Sequence, residues 1–359
     1  MAILYEETIS AHRSIYTVNA KERYLRLQYS IPEKGTNLET GILFLLPAYG
    51  GCLDSSVYRK MRMQFPDRYN LIVIQCDYFG IDYMQTMAER IEEFLEKGKE
   101  LGTPDEITIQ LEETLNNCND MGFMQAADVL QAGLYVIHKL SSLGIKMNFG
   151  KIIAYGSSHG SYLGYLANRL CPGLMKLVID NSSYCLPSYL LDERPIYFGL
   201  TEELTKKYDI AKCTVYVNYL ANRERKQFLP DAFYKLQSLY RDFDNECMIL
   251  SFHGADDKMV SITEKRELVA SIERASLIEV SKETADGRYF KDSVHGLGVD
   301  LLNLYEAVDS LTKDIFTYKD SLSIPANVLI ERDGHKLCVG YEGLEPHITW
   351  IKAEEQEKC

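Results

Sequence analysis

The chain has 359 residues, 46% of them hydrophobic and 25% charged, enough for two domains or for one large core with insertions. Its 39 Lys and Arg against 52 Asp and Glu leave a formal charge of −13, which argues against nucleic acid or an anionic membrane as partner, since both attract clustered positive charge. No run approaches the ~20 apolar residues of a membrane span, and nine scattered cysteines without a C-x-x-C pair imply neither a disulfide framework nor a zinc site.

The opening MAILYEETISAHR turns acidic too early for a secretion signal, so a cytoplasmic protein with reduced thiols is expected. Residues 24–29 and Gly41–Leu46 read as strands, and Leu71–Cys76 (LIVIQC) as a strand buried on both faces. Residues 82–116, rich in Glu and Lys, read as a helical excursion on the surface. From 122 to 143, Phe123, Ala126, Ala127, Leu130, Leu134, Ile137 and Leu140 recur at helical spacing. Three more apolar runs, 151–155 (KIIAY), 174–180 (LMKLVID) and 247–252 (CMILSF), read as buried strands. Strands alternating with helices predict an α/β fold, a mostly parallel sheet with helices on both faces. The span 184–245 far exceeds an ordinary connection and is expected to form a helical cap inserted over the sheet. The core then comprises 1–183 and 246–318, closing with a helix over 299–316.

The remaining 319–359 is an extension of a different kind. Asn327–Arg332, Asp333-Gly334 and 335–341 read as a β-hairpin around a type I′ turn, with Val328 and Ile330 facing Val339 and Leu337. It is available either to pack on the core or to join two copies as a homodimer.

The chemical signal is Gly156-Ser157-Ser158-His159-Gly160, a G-x-S-x-G pattern centred on Ser158. It follows the strand KIIAY and precedes the helix-like run 161–170, the strand–turn–helix setting of a nucleophile elbow. Small residues must flank a serine in so sharp a turn, and Gly156 and Gly160 supply them. A serine hydroxyl needs a base to take its proton, and in an elbow protein the acid and then the histidine follow in chain order. CMILSF runs into HGADDKMV, which offers Asp256 and Asp257, and His295 lies 38 residues beyond Asp257 within SVHG. Of the seven histidines, His138 lies in a helix, and His12, His335 and His347 fall outside the predicted core. His159 sits beside the nucleophile facing away, and His253 is close in sequence to the acid. That leaves His295 as the base.

Together these three segments resemble the serine-hydrolase branch of the α/β-hydrolase superfamily over about residues 20–315. The resemblance implies the α/β-hydrolase fold and, through the pattern H-G-x-x-D-x-x-V counted from His253, Asp257 as the acid, with Asp256 as the alternative. It also implies an oxyanion hole made by the backbone N–H of His159 and a second N–H after an early strand, in Leu45-Leu46-Pro47-Ala48-Tyr49-Gly50-Gly51, assigned to Tyr49. Family members often carry H-G at the start of that turn, where this chain has Pro47-Ala48. More narrowly, NDMGFMQAAD (119–128), YGSSHGSYLGYL (155–166), IDNSSYCLPSYL (179–190) and HGLG (295–298) resemble an uncharacterised bacterial family of α/β-hydrolase-like proteins, seen in campylobacters and other glycan-decorating flagellated bacteria. That resemblance implies an acylated sugar as the small-molecule substrate.

In the cap, Tyr184 could stack on a sugar face and Arg194 could hold a carboxylate, with Arg223 and Arg225 as further cations. Asp120 and Asp128 read as helix-start and surface charges. No phosphate loop, metal-ligand cluster or cofactor fingerprint is visible, so no cofactor is expected. The chain therefore reads as a serine esterase or deacylase. An acyltransferase acting on a sugar or nonulosonic acid with the same triad, and a non-catalytic binding or assembly protein that retains the fold, stay open.

Overall fold

In the computed structural model the described residues are 1–84, 106–187, 209, 212–218, 220, 230–343 and 345–351. Thirteen strands are described: β1 Ile3–Ala11, β2 Arg23–Ile31, β3 Gly41–Leu46, β4 Leu71–Cys76, β5 Glu106–Glu112, β6 Ile152–Ser157, β7 Leu177–Asn181, β8 Lys212–Asn218, β9 Met248–Gly254, β10 Ala275–Val280, β11 Asn327–Arg332, β12 His335–Glu342 and β13 Glu345–Ile351. The described helices are α1 Ser56–Tyr69, α2 Phe123–Ser142, α3 His159–Leu170, α4 Leu236–Tyr240, α5 Ile262–Ala270 and α6 Leu301–Thr312.

Eight strands form one sheet in the order β1-β2-β4-β3-β6-β7-β9-β10. Only β2 opposes the rest, pairing antiparallel with both β1 and β4, while every pair from β4 to β10 is parallel. That order, with the elbow after β6, is the α/β-hydrolase fold.

Strict alternation along the central strands makes two cores. Ile42, Phe44, Leu46, Ile72, Ile74, Ile152 and Ala154 face α2 and α3. Leu43, Leu45, Leu71, Val73, Ile153, Tyr155 and Ile179 face α1 and α6, where Tyr58, Met61, Phe65, Leu304 and Tyr305 complete the layer. All six residues of β3 and of β4 are buried, as a strand covered on both faces requires. A Cβ on Gly133 would fall 2.1 Å from the Phe44 ring, so this glycine lets α2 lie against the sheet.

The structure alters several expectations. Within 82–116, read as helical, the described residues hold the end of a 3₁₀ turn (Ile81–Tyr83) and β5, which pairs in parallel with β8 of the insertion; Ile107, Ile109 and Leu111 alternate with polar residues as a strand does, a pattern obscured by the charge of its surroundings. The third buried strand starts at Leu177 rather than at 174, and the last core helix ends at Thr312 before a single 3₁₀ turn. The insertion 184–245 thus contributes a strand. Its end, 230–245, packs into the main core through Phe233, Tyr234, Leu236, Leu239 and Tyr240.

The terminal hairpin has the anticipated register, Val328↔Val339 and Ile330↔Leu337, with Asp333 and Gly334 both at positive φ. It gains a third strand, β13, and seats on the core: Tyr341 donates to Leu170 O at 3.0 Å, Arg332 to Ser238 O at 2.7 Å, and Trp350 meets Phe233 edge-on. Among the described residues no helix is long and apolar enough to cross a membrane.

Candidate active site

Parallel strands deliver their carboxyl ends to one edge of the sheet, where open α/β folds bind ligands. At that edge β6 hands Ser158 into a turn at φ 51°, ψ −114°, a conformation that costs a residue with a Cβ about 1–3 kcal/mol. A Cβ on Gly156 would lie 2.3 Å from Ser161 N, and one on Gly160 2.1 Å from Leu46 O. Both positions therefore require glycine. The Ser158 N–H donates to Asn181 O at 2.7 Å, tying the elbow to the neighbouring strand end. The positive end of α3 begins at the next residue.

The loop after β10 brings His295 to the same point. Ser158 Oγ lies 2.8 Å from His295 Nε2, and His295 Nδ1 lies 2.8 Å from Asp257 Oδ2, on the loop after β9. An ionised carboxylate only accepts, so Nδ1 carries the hydrogen and Nε2 turns its lone pair to the serine hydroxyl. Asp257 is only 7% exposed. Burial pushes its carboxyl up, but the hydrogen bond and charge of His295 and the backbone N–H groups of Val260 and Met259 outweigh that and hold it below the usual range. It stays charged at neutral pH.

Asp256, one residue away, is at the surface and accepts from Ser293 Oγ at 2.6 Å instead. The elbow residue His159 is fully buried, with Nε2 2.7 Å from Gln125 Oε1. Burial pushes its imidazole down to about 3, which keeps it neutral. Tyr49 lies on the loop after β3, its ring 6.1 Å from that of His159. Tyr184 stacks on His295 at 5.9 Å between ring centres. Arg194, with Arg223 and Arg225, lies outside the described residues.

Two charges depart from expectation. Asp120 is at the helix start, accepting from the Met124 and Gly122 N–H groups, but it is fully buried and also takes the Tyr16 hydroxyl at 2.8 Å. Asp128, expected on the surface, is fully buried in a two-pronged ion pair with Arg23 and accepts the Phe79 N–H. A helix read as one-sided is enclosed all round here, so its polar residues had to find internal partners.

Three supports of the site were missed in the sequence. His253, set aside for its closeness to the acid, donates from Nε2 to Val260 O at 3.0 Å and lies 3.3 Å from Asp257 Oδ2. Its position at the head of H-G-x-x-D was the available signal. Ser182, at φ 60°, accepts the Gly296 N–H at 3.1 Å, fixing the loop that carries His295. Beneath it Asp180 and Lys265, both fully buried, pair at 3.2 Å, with Ser183, Ser251 and Tyr165 hydroxyls completing the carboxylate's shell. Nothing local to 179–184 announces that partner, which comes from α5. Among the described residues no group of three or more His, Cys, Asp or Glu is arranged to hold a metal.

Solved structures similar to this chain include Est1E of Butyrivibrio proteoclasticus (11% identity, TM-score 0.45, covering 85% of this chain and 98% of that one). A thermophilic esterase of Thermogutta terrifontis follows at 14% identity and TM-score 0.46, with 87% and 96% covered. A fungal esterase of Rhizomucor miehei follows at 13% and 0.48, with 87% and 84% covered. These are likenesses at low identity, and the fold stands on the strand order and the elbow. No curated protein matches. A family model does match, over residues 72–312, from β4 through the elbow and the His295 loop to the end of α6. The chain belongs to the family described as "Protein of unknown function (DUF2920)".

Proposed function

We propose that this protein is a serine hydrolase that cleaves carboxylic esters by two-step acyl transfer to water. The observation that carries the reading is the continuous relay Ser158 Oγ–His295 Nε2–Asp257 Oδ2, each link 2.8 Å, built on a strained elbow. Ser158 Oγ attacks the ester carbonyl while His295 Nε2 takes its proton, and Asp257 stabilises the imidazolium that forms. The tetrahedral intermediate expels the alcohol, which receives that proton. Water then attacks the acyl-enzyme with His295 as base, releasing the acid and restoring the serine. The His159 and Tyr49 backbone N–H groups are the proposed oxyanion donors, a role typically contributing about 3–4 kcal/mol per donor.

For the substrate, the narrower resemblance suggests a small polar or sugar-derived acyl ester, with Arg194 in the insertion as a contact for an acidic group; Tyr184, at 1% exposure and stacked on His295, backs that imidazole rather than offering a face to a sugar. The insertion 184–245 would then select substrate without supplying the nucleophile. Six buried free thiols among the described residues support a reducing, cytoplasmic setting.

A fluorophosphonate probe tests the chemistry. Wild-type protein should be labelled on Ser158 and should hydrolyse p-nitrophenyl acetate, and Ser158→Ala should lose both with its fold intact. Labelling on Ser157 or Ser161, or no labelling of folded wild type, overturns the reading. For the insertion, reversing the charge of Arg194 should raise KM for an acidic ester and leave p-nitrophenyl acetate unchanged.

A further inference from the structure

We infer that Asn119 and Gln125, in the segment NDMGFMQAAD, are positioning residues that set the spacing between the two oxyanion donors; the inference rests on the serine-hydrolase reading. Those donors belong to separate elements, the loop after β3 for Tyr49 and the start of α3 for His159. A chain of side-chain hydrogen bonds joins them. Asn119 Nδ2 donates to Tyr49 Oη at 3.2 Å, Gln125 Nε2 donates to Asn119 Oδ1 at 3.1 Å, and Gln125 Oε1 faces His159 Nε2 at 2.7 Å.

Each link orients the next. Gln125 Nε2 also donates to Phe79 O at 3.1 Å, and Asn119 Oδ1 also accepts the Met121 N–H at 3.2 Å. The glutamine oxygen is therefore left for His159, which must donate, and the asparagine nitrogen for Tyr49. His159 is neutral at working pH because burial holds its imidazole down at about 3, so the chain keeps one arrangement of donors and acceptors.

Asn119, Gln125 and His159 are all fully buried. Amides in such a place are costly unless fully bonded, and once bonded they fix a single geometry. The chain is anchored at an inner link, where Glu113 Oε1 accepts the Asn119 N–H and Oε2 accepts the Leu220 N–H, reaching into the insertion. Aromatic rings close around it: Tyr49 and Tyr78 meet His159 edge-on and Tyr162 stacks on it. An oxyanion hole works only if both N–H groups aim at one oxygen within hydrogen-bond distance, so a small drift of the Tyr49 loop relative to α3 should weaken transition-state binding while leaving substrate binding intact.

Two full-length variants test this. Gln125→Glu keeps the shape but loses the NH2 group that donates to both Asn119 and Phe79 O, since a carboxylate donates to neither and a protonated acid to one at most; Tyr49→Phe removes only the hydroxyl at the other end. With p-nitrophenyl acetate, each should lower kcat about tenfold with KM within about twofold. Phenylboronic acid, which forms a tetrahedral adduct on the serine, should lose affinity by the same factor, and the acid limb of the pH–kcat profile should not move. Because both act through one chain, the double variant should fall no further than the worse single. If Gln125→Glu does not fold, Tyr49→Phe decides alone. Boronate affinity unchanged while kcat falls in step with thermal stability, or both variants equal to wild type, overturns the inference while labelled wild type upholds the hydrolase reading. Wild type that is neither labelled on Ser158 nor inhibited by boronate overturns both.

Discussion

The carboxyl edge of the sheet buries acids in two ways. In the β7–β9 half, Asp180 is fully enclosed, and burial pushes its carboxyl up, but the Lys265 ammonium with the hydroxyls and backbone N–H around it wins and holds it below the usual range. In the β4 half, Asp77 is almost as inaccessible, yet it has the Leu53 N–H at 3.0 Å, Arg26 no closer than 3.7 Å, and a weaker pull from Arg62 that Asp54 opposes. Burial therefore wins there and pushes it up to about 6. The same desolvation gives opposite outcomes, so the sign is set by what sits opposite the carboxylate. Asp257 belongs with Asp180 in being held ionised, but its partner is a histidine whose side chain is 19% exposed. A fixed ammonium makes a scaffold; under the proposed function, an imidazole at the surface of the site makes the relay.

The comparison can be broken from either side. The largest effect should follow Asp257→Asn, which presents an amide to His295 and favours the wrong tautomer, lowering turnover by about 10⁴-fold. Asp256→Asn should leave the rate close to wild type, and the reverse ranking in a p-nitrophenyl acetate assay would move the acid by one residue. Lys265→Met should cost about 3–5 kcal/mol of stability, since it strands the Asp180 charge in the interior. Urea unfolding at neutral pH would measure that loss.

Asp77→Asn should do the opposite. A carboxyl that binds its proton more tightly folded than unfolded makes stability fall as pH rises from about 4 to about 6, and leaves it lowered above that. The amide removes that loss, so the variant should be more stable than wild type by about 1–3 kcal/mol at pH 7.5, and the gain should vanish as the pH falls toward 4. Thermal melts at the two pH values decide it, and an equal gain at both would show that burial is not the cause. The smallest effect belongs to Ser182→Ala, which removes the acceptor for Gly296 N–H and should cost about 1 kcal/mol, with kcat falling several-fold as the His295 loop loosens.

What was legible in the sequence follows the same division between local and distant causes. Runs such as LIVIQC and KIIAY declared themselves because a strand covered on both faces has no polar alternation to hide it. The edge strands β1 (ILYEETISA) and β10 (ASLIEV) passed unnoticed, since Ala11 and Val280 are the only buried positions in them. Helix α1 is less legible, although Tyr58, Met61, Arg62 and Phe65 recur at helical spacing, because a charged Arg62 stands on the buried face and Pro66 lies near the end. At the site, Ser158, Asp257 and His295 could be named from short segments with fixed order. Their supports could not. Ser182 and Gly296 are 114 residues apart and Asp180 and Lys265 are 85 apart, and only the closed sheet makes them neighbours.

The parallel pair β5–β8 has a consequence for how the chain assembles. Matching Glu106 with Lys212 through to Glu112 with Asn218 closes a loop of roughly a hundred residues, an entropic cost repaid only once the intervening strands are docked. That loop contains α2, β6, the elbow, α3 and β7. The pair should therefore zip late, after the nucleophile turn has been formed. Weakening it should speed unfolding and leave the refolding rate nearly untouched, as expected for contacts absent from the transition state. Synthesis order adds to this, because residue 212 leaves the ribosome after the whole enclosed segment.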